Sequence, residues 1–249
     1  MSVWLRSLAF NAWFFALTAA LALYGTLRRD WGTEQVLVLA ETWAGLVLGS
    51  ARRLCGIRVA LLGEENLPRS GAALIASQHQ SALDTLVWHL LVPRPAYVFK
   101  AELGRIPWFG SLLRRGGQIA IGRGGSGVGT LRATLRAVDR AVAEKHQIVL
   151  FPEGTRVEPG ARVELLPGVA LFAKRTGLPV IPVATNSGRH WGRRAFRKRP
   201  GTVLIAAGPP LPPGLPQAEL LEALRAAWDA AEAQLEDAAV DEQETIRIA

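Results

Sequence analysis

The stretch Leu74-Ile75-Ala76-Ser77-Gln78-His79-Gln80-Ser81-Ala82-Leu83-Asp84 sets a short apolar run ahead of a polar turn. A run of that length bounded by polar residues reads as a buried strand, and residues 83–91 continue at helical spacing. The same strand-then-turn order recurs at Ile148-Val149-Leu150-Phe151-Pro152-Glu153-Gly154-Thr155-Arg156. There Pro152 stops the strand and Gly154 permits a tight turn. Working outward, apolar runs at 72–77, 97–100, 119–121, 148–151, 180–184 and 203–207 alternate with helical patterns at 83–91, 108–114, 128–144 and 169–176. Buried short strands alternating with helices predict an α/β fold. Leu131, Leu135, Val138 and Val142 make the 128–144 helix amphipathic. Residues 218–235 read as a last helix with Leu220, Leu221, Leu224 and Trp228 on one face.

The first turn carries a candidate dyad. Strand ends of an α/β sheet are where active-site groups are presented. The five-residue offset lets Asp84 fold back to one ring nitrogen of His79 and leaves the other as a free base. Imidazole titrates near neutrality, and the carboxylate would fix its tautomer. The plainer alternative is a capped helix with an ordinary histidine. In the second turn, Glu153 and Arg156 project from a strand end, and an Arg fork suits phosphate. They can equally form a structural ion pair.

Charge is distributed unevenly. The chain of 249 residues has a net charge of +8, yet from residue 217 onward nine acids face two bases. The first 216 residues therefore carry 27 bases and 12 acids, a net of +15. Such a body favours an anionic partner. Residues 189–199 alone hold Arg189, Arg193, Arg194, Arg197, Lys198 and Arg199, with Trp191 and Phe196 among them. That cluster suits lipid headgroups, CoA phosphates or an acidic carrier protein, or is a solvated loop. With one cysteine, Cys55, a disulfide framework is excluded. The four histidines show no metal-ligand spacing.

The N-terminus is apolar. Residues 7–27 carry no charge, and a helix of that length can cross ~30 Å of hydrocarbon. Trp4, Trp13 and Tyr24 suit the interfacial zones. A second apolar stretch, 36–48, contains Glu41, which disfavours a span. We therefore expect a helix pair joined at 28–33 and lying in one leaflet. A signal peptide, or a core helix pair of a soluble domain, are the competing readings.

Taken together the motifs resemble the glycerolipid acyltransferase family, and within it the lysophosphatidic acid acyltransferases. The family's first block is the His-x4-Asp, here His79 to Asp84, and its third is matched letter for letter at Phe151 through Arg156. Its block between these two is similar to Gly117-Gln118-Ile119-Ala120-Ile121-Gly122-Arg123, with Gly122 where the family usually has Asp. The fourth is similar to Val180-Ile181-Pro182-Val183, and residues 100–110 are similar to the stretch that precedes the Gly117–Arg123 block. The resemblance runs from about residue 70 to 210. It implies one acyltransferase domain with a central mixed sheet over 56–249, preceded by a membrane-associated helix pair over 1–55. It implies His79 and Asp84 as catalytic residues. Lys100, Arg123, Glu153, Gly154, Thr155 and Arg156 would form the substrate-phosphate site, with Glu153 orienting Arg156 or touching glycerol. Pro182 would belong to the acyl-donor or acyl-chain site. The implied reaction moves an acyl group from acyl-CoA or acyl-carrier protein to the sn-2 hydroxyl of 1-acylglycerol-3-phosphate. It would run at the cytoplasmic face of the inner membrane, with no cofactor or metal and no nucleic acid. No acyl-enzyme is needed, in keeping with the lack of a G-x-S-x-G.

Other readings stay open. The acceptor can be another lysolipid, such as lyso-ornithine lipid. A non-enzymatic peripheral protein would bind anionic lipid through the 189–199 cluster. Gly122 to Gly127 also spell a G-x-G-x-x-G, with Asp139 placed for a ribose, so a dinucleotide site is a further possibility.

Overall fold

The computed structural model describes residues 2–122, 128–238 and 246–247. Two helices come first, α1 (Val3–Leu27) and α2 (Thr33–Ser50), followed by a π-helical turn at Ala51–Cys55. Gly56 then takes a left-handed φ of 71° and releases the chain into β1 (Ile57–Leu62). The rest alternates: β2 (Ala73–Ser77), α3 (Asp84–Leu91), β3 (Pro95–Lys100), α4 (Phe109–Arg115), β4 (Ile119–Ile121), α5 (Val128–Ala143), β5 (Gln147–Leu150), α6 (Gly168–Thr176), β6 (Val180–Thr185), β7 (Gly201–Ala207), α7 (Gln217–Ala238) and β8 (Ile246–Arg247).

One mixed sheet runs in the order β4-β3-β5-β2-β6-β7-β1-β8. From β4 through β6 every pairing is parallel; β7 is antiparallel to β6, and the two-residue β8 is antiparallel to β1. The central strands β2, β5 and β6 are buried along their whole length, as a sheet covered on both faces requires. Phe10, Val47, Leu48, Ile75, Leu86 and Trp88 belong to the core on one face, under α1, α2 and α3. Leu74, Val138, Phe172, Leu224 and Trp228 belong to the core on the other, under α5, α6 and α7. The expected α/β architecture is therefore observed. The strand β1 is an addition to the expected set: its parallel partner is β7, and its apolar run follows directly on the apolar N-terminal segments.

The helix pair is part of this fold rather than a detached arm. Ser7, Phe10, Ala22 and Gly25 are the buried residues of α1. Trp43 of α2 donates its indole N–H to Thr18 Oγ1 at 3.0 Å, and Arg115 of α4 donates to the Gly25 carbonyl at 2.9 Å. The opposite side of α1 leaves Trp4, Leu8, Trp13, Phe15, Leu23 and Leu27 exposed. Among the described residues, α1 is the one helix long and apolar enough to cross a membrane. Glu41 of α2 is exposed.

Candidate active site

The chemistry-bearing turns leave the carboxyl ends of adjacent strands. After β2 the Gln78 N–H still bonds to the Val183 carbonyl at 2.9 Å, then the chain leaves the sheet. Asp84 opens α3 and reaches back over the turn. Its Oδ2 accepts from the N–H groups of Gln80 and Ser81 at 2.7 Å each, and lies 3.1 Å from His79 Nδ1. Three partners on one oxygen pin the carboxylate, whose side chain is 3% exposed. Facing a carboxylate, Nδ1 is the donor, and the tautomer that this selects carries its lone pair on Nε2. The imidazole stacks on Phe151 with centroids 4.2 Å apart, which fixes its plane.

The 151–156 turn follows β5. Gly154 has a φ of 64°, and its N–H bonds to the Phe151 carbonyl at 2.9 Å. A Cβ there would lie 2.5 Å from Leu166 Cδ1, a side-chain tip that can shift, so it is the left-handed φ that favours glycine. Glu153 Oε2 accepts from the His79 N–H at 2.5 Å, and the Val157 N–H donates to the His79 carbonyl at 2.7 Å. Burial pushes the Glu153 carboxyl up to about 7, against the His79 N–H that favours its charge; the charges of Asp84 and Glu232 add to the rise.

Both turns border a cavity of about 930 Å³. His79, Lys100, Gly154, Thr155 and Arg156 all line it. Burial lowers the proton affinity of Arg156, Asp84 opposes this, and neighbouring Arg193 adds to it. Away from these groups the walls are apolar: Leu21 and Leu39 from the helix pair, Leu131 from α5 and Phe172 from α6. The lining thus combines cationic side chains and an imidazole with apolar side chains.

Two expected site residues lie elsewhere. Glu153 does not line the cavity. Its carboxylate is taken by the His79 main chain and borders a separate polar niche with Gln78, Arg225 and Glu232. Its hydrogen bond thus goes to the histidine turn and not to Arg156. Pro182 also stands outside the cavity lining. It sits in mid-strand opposite Ala76, sharing the sheet face of Val180 and Ala184, which α7 and its neighbours cover. There its ring faces Gly208. Arg123, and the glycine run through Gly127, lie outside the described residues. Asp139, the candidate ribose acid, is held by Arg175 through bonds of 2.9 and 2.7 Å.

Other contributors carry no signal in the sequence. Gln78 Nε2 donates to Glu232 Oε1 at 2.6 Å, its Oε1 accepts from the Thr185 N–H at 3.1 Å, and Trp228 donates to the Ala76 carbonyl at 3.2 Å. The acidic helix α7 thus braces the turn that carries His79. Arg193 and Arg194 line the cavity too, whereas Lys198 of the same basic cluster is buried and donates to the Ala195 and Phe196 carbonyls at 2.7 and 3.1 Å. Cys55 is also buried and stands outside the cavity lining.

The family model described as Acyltransferase matches residues 58–186. A 1-acyl-sn-glycerol-3-phosphate acyltransferase of Pseudomonas aeruginosa is 31% identical over 171 residues, 69% of this chain and 66% of that protein. One from Helicobacter pylori is 32% identical over 142 residues, 54% of this chain and 58% of that protein. The match thus spans just under two thirds of the first relative and less of the second. The crystal structure of the 1-acyl-sn-glycerophosphate (LPA) acyltransferase PlsC from Thermotoga maritima superposes with a TM-score of 0.74 at 21% identity, covering 94% of this chain and 98% of that one, which shows a shared fold. The family model covers more than half of the chain and takes in both turns that meet at His79, so the protein belongs to the acyltransferase family.

Proposed function

We propose that this protein moves a fatty acyl group from a thioester, acyl-CoA or acyl-carrier protein, to the sn-2 hydroxyl of 1-acylglycerol-3-phosphate, giving phosphatidic acid. The observation that carries the reading is the His79–Asp84 pair at 3.1 Å, set beside a cavity that joins cationic and apolar walls. His79 Nε2 takes the hydroxyl proton as the oxygen attacks the thioester carbonyl. The C–S bond breaks, the ester forms, and the imidazolium returns the proton to the departing sulfur. Asp84 holds the tautomer throughout. Lys100 and Arg156 bind the phosphate, and the apolar walls take acyl chain. No cofactor enters this scheme.

The names of the relatives support the acceptor. The exposed apolar side of α1 supports a seat on a phospholipid bilayer, in one leaflet because the other side is committed to the protein. The cytoplasmic face of the inner membrane follows from reading the donor as a cytosolic thioester. The test is a panel of lysolipid acceptors offered with one acyl-CoA and scored by product mass. Phosphatidic acid is the expected main product; a preference for lyso-ornithine lipid would replace this acceptor assignment.

A further inference from the structure

The segment from Ser187 to Pro200, between β6 and β7, is held at several points. The Gly188 N–H donates to Gln80 Oε1 at 3.1 Å, tying the start of the segment to the turn that bears His79. Arg199 N–H bonds to the His190 carbonyl at 2.8 Å. Lys198 is buried beneath the segment, with its ammonium 5.0 Å from the Trp191 ring centroid and bonded to two carbonyls. The segment also meets α1, where Asn11 donates to the Phe196 carbonyl at 3.0 Å and Ser7 Oγ accepts from the Lys198 N–H at 2.9 Å. The segment is thus fixed to both the histidine turn and the apolar helix.

This frame presents Arg193 and Arg194 to the cavity that Arg156 also lines. Arg193 Nη1 donates to the Arg156 carbonyl at 3.2 Å, so the two residues are in contact. Arg194 is held at a φ of 54°, a left-handed conformation that a non-glycine residue rarely adopts. No carboxylate among the described residues forms a salt bridge with Arg156, Arg193 or Arg194. Asp84, the acid whose charge Arg156 senses, is already held by His79 and two main-chain N–H groups. Three guanidiniums at one cavity repel each other unless an anion joins them, and a phosphate matches their planar forks.

We infer that Arg193 and Arg194 complete, with Arg156, a binding site for a dianionic phosphate in the cavity they line. Two molecules can bring such a group: the lysolipid with its phosphomonoester, and CoA with its 3′-phosphate. The role of the site in acyl transfer rests on the proposed function, but its occupancy by phosphate does not.

The experiment measures binding separately from turnover. Full-length His79→Ala protein in neutral micelles is titrated calorimetrically with lysophosphatidate, with CoA, and with uncharged monoacylglycerol as control. The same titrations are run with Arg193→Ala and Arg194→Ala added together. We expect the added pair to weaken one phosphate ligand at least tenfold and to leave monoacylglycerol within twofold. Loss on lysophosphatidate assigns the site to the acceptor, and loss on CoA assigns it to the donor. Arg193→Lys with Arg194→Lys keeps the charge but not the fork, and is expected to lose an intermediate amount; this pair carries the test if the alanine pair does not fold. Binding of both phosphate ligands within twofold in the substituted protein overturns the proposal, as does failure of the parent to bind either. Failure of the unsubstituted protein to acylate lysophosphatidate overturns the proposed reaction instead, and leaves the binding result standing.

Discussion

The main-chain N–H of His79 donates to the side chain of Glu153 at 2.5 Å, across 74 residues of sequence. The return bond from the Val157 N–H to the His79 carbonyl closes the link at 2.7 Å. The turn after β2 and the turn after β5 thus form one unit. A displacement of either moves the imidazole relative to the cations that line the cavity.

The dyad is the first test. Asp84→Asn retains the shape but replaces a carboxylate that meets two N–H groups and the ring Nδ1. The turnover number is expected to fall at least ~100-fold, within the usual range for losing an oriented general base. The KM for lysolipid should change little, because Asp84 does not line the cavity. Steady-state kinetics decide; a turnover number within threefold of wild type would remove Asp84 from the mechanism.

Glu153 predicts a pH dependence of stability. Its folded-state pKa is raised to about 7 from an unfolded value of 4.5, chiefly by burial. Between those values the folded protein binds more protons than the unfolded chain, so this carboxyl's contribution to stability declines as pH rises through the window. Glu153→Gln keeps an acceptor for the His79 N–H but does not titrate. Its denaturation midpoint should therefore fall less than wild type's between pH 5 and pH 7.5. Parallel curves for the two proteins would refute the assignment.

The brace from α7 predicts a stability cost. Trp228 is 3% exposed and its indole N–H bonds to the Ala76 carbonyl at 3.2 Å. Trp228→Ala should lose about 3–5 kcal/mol, the usual range for truncating a buried aromatic. Trp228→Phe keeps most of the volume and loses the donor, which costs about 1–2 kcal/mol. Urea unfolding in detergent measures both, and equal losses would mean that packing contributes nothing beyond the hydrogen bond.

The apolar wall predicts chain-length selectivity. Leu21 of α1 borders the cavity, and Leu21→Trp adds volume there. Each methylene that can no longer be buried costs about 0.8 kcal/mol, about fourfold in kcat/KM. The optimum should shift to shorter acyl chains while the best short-chain rate is retained. An unchanged profile over a series of acyl-CoA lengths would show that the acyl chain lies elsewhere.

The exposed side of α1 predicts adsorption to lipid. Phe15 is 67% exposed, and Phe15→Glu should weaken flotation with vesicles containing phosphatidylglycerol. Undiminished flotation would shift the contact to other residues.

Much of the fold and of the site is legible in the sequence, for identifiable reasons. Fully buried parallel strands leave compact apolar runs, so the run at 72–77 anticipates β2 at Ala73–Ser77 and the one at 119–121 coincides with β4. The dyad is legible because His79 and Asp84 are five residues apart and their contact is local. Contacts between distant segments are not. The Glu153 carboxylate meets a main-chain N–H 74 residues earlier, and the Gln78–Glu232 bond spans 154. Neither leaves a spacing signal. The place of Pro182 is hidden because the apolar strand containing it has two faces, and only the tertiary fold says which one meets the cavity. Lys198 reads like its arginine neighbours until burial distinguishes it.

The bonds from Ser7 and Asn11 to the 187–200 segment also bear on how the chain is made. Residues 7 and 11 leave the ribosome long before Phe196 and Lys198 exist to meet them. During that interval the part of α1 that later meets the segment is uncovered, which is the condition that favours aggregation. The two late contacts then cover it and fasten the 187–200 segment to the helix.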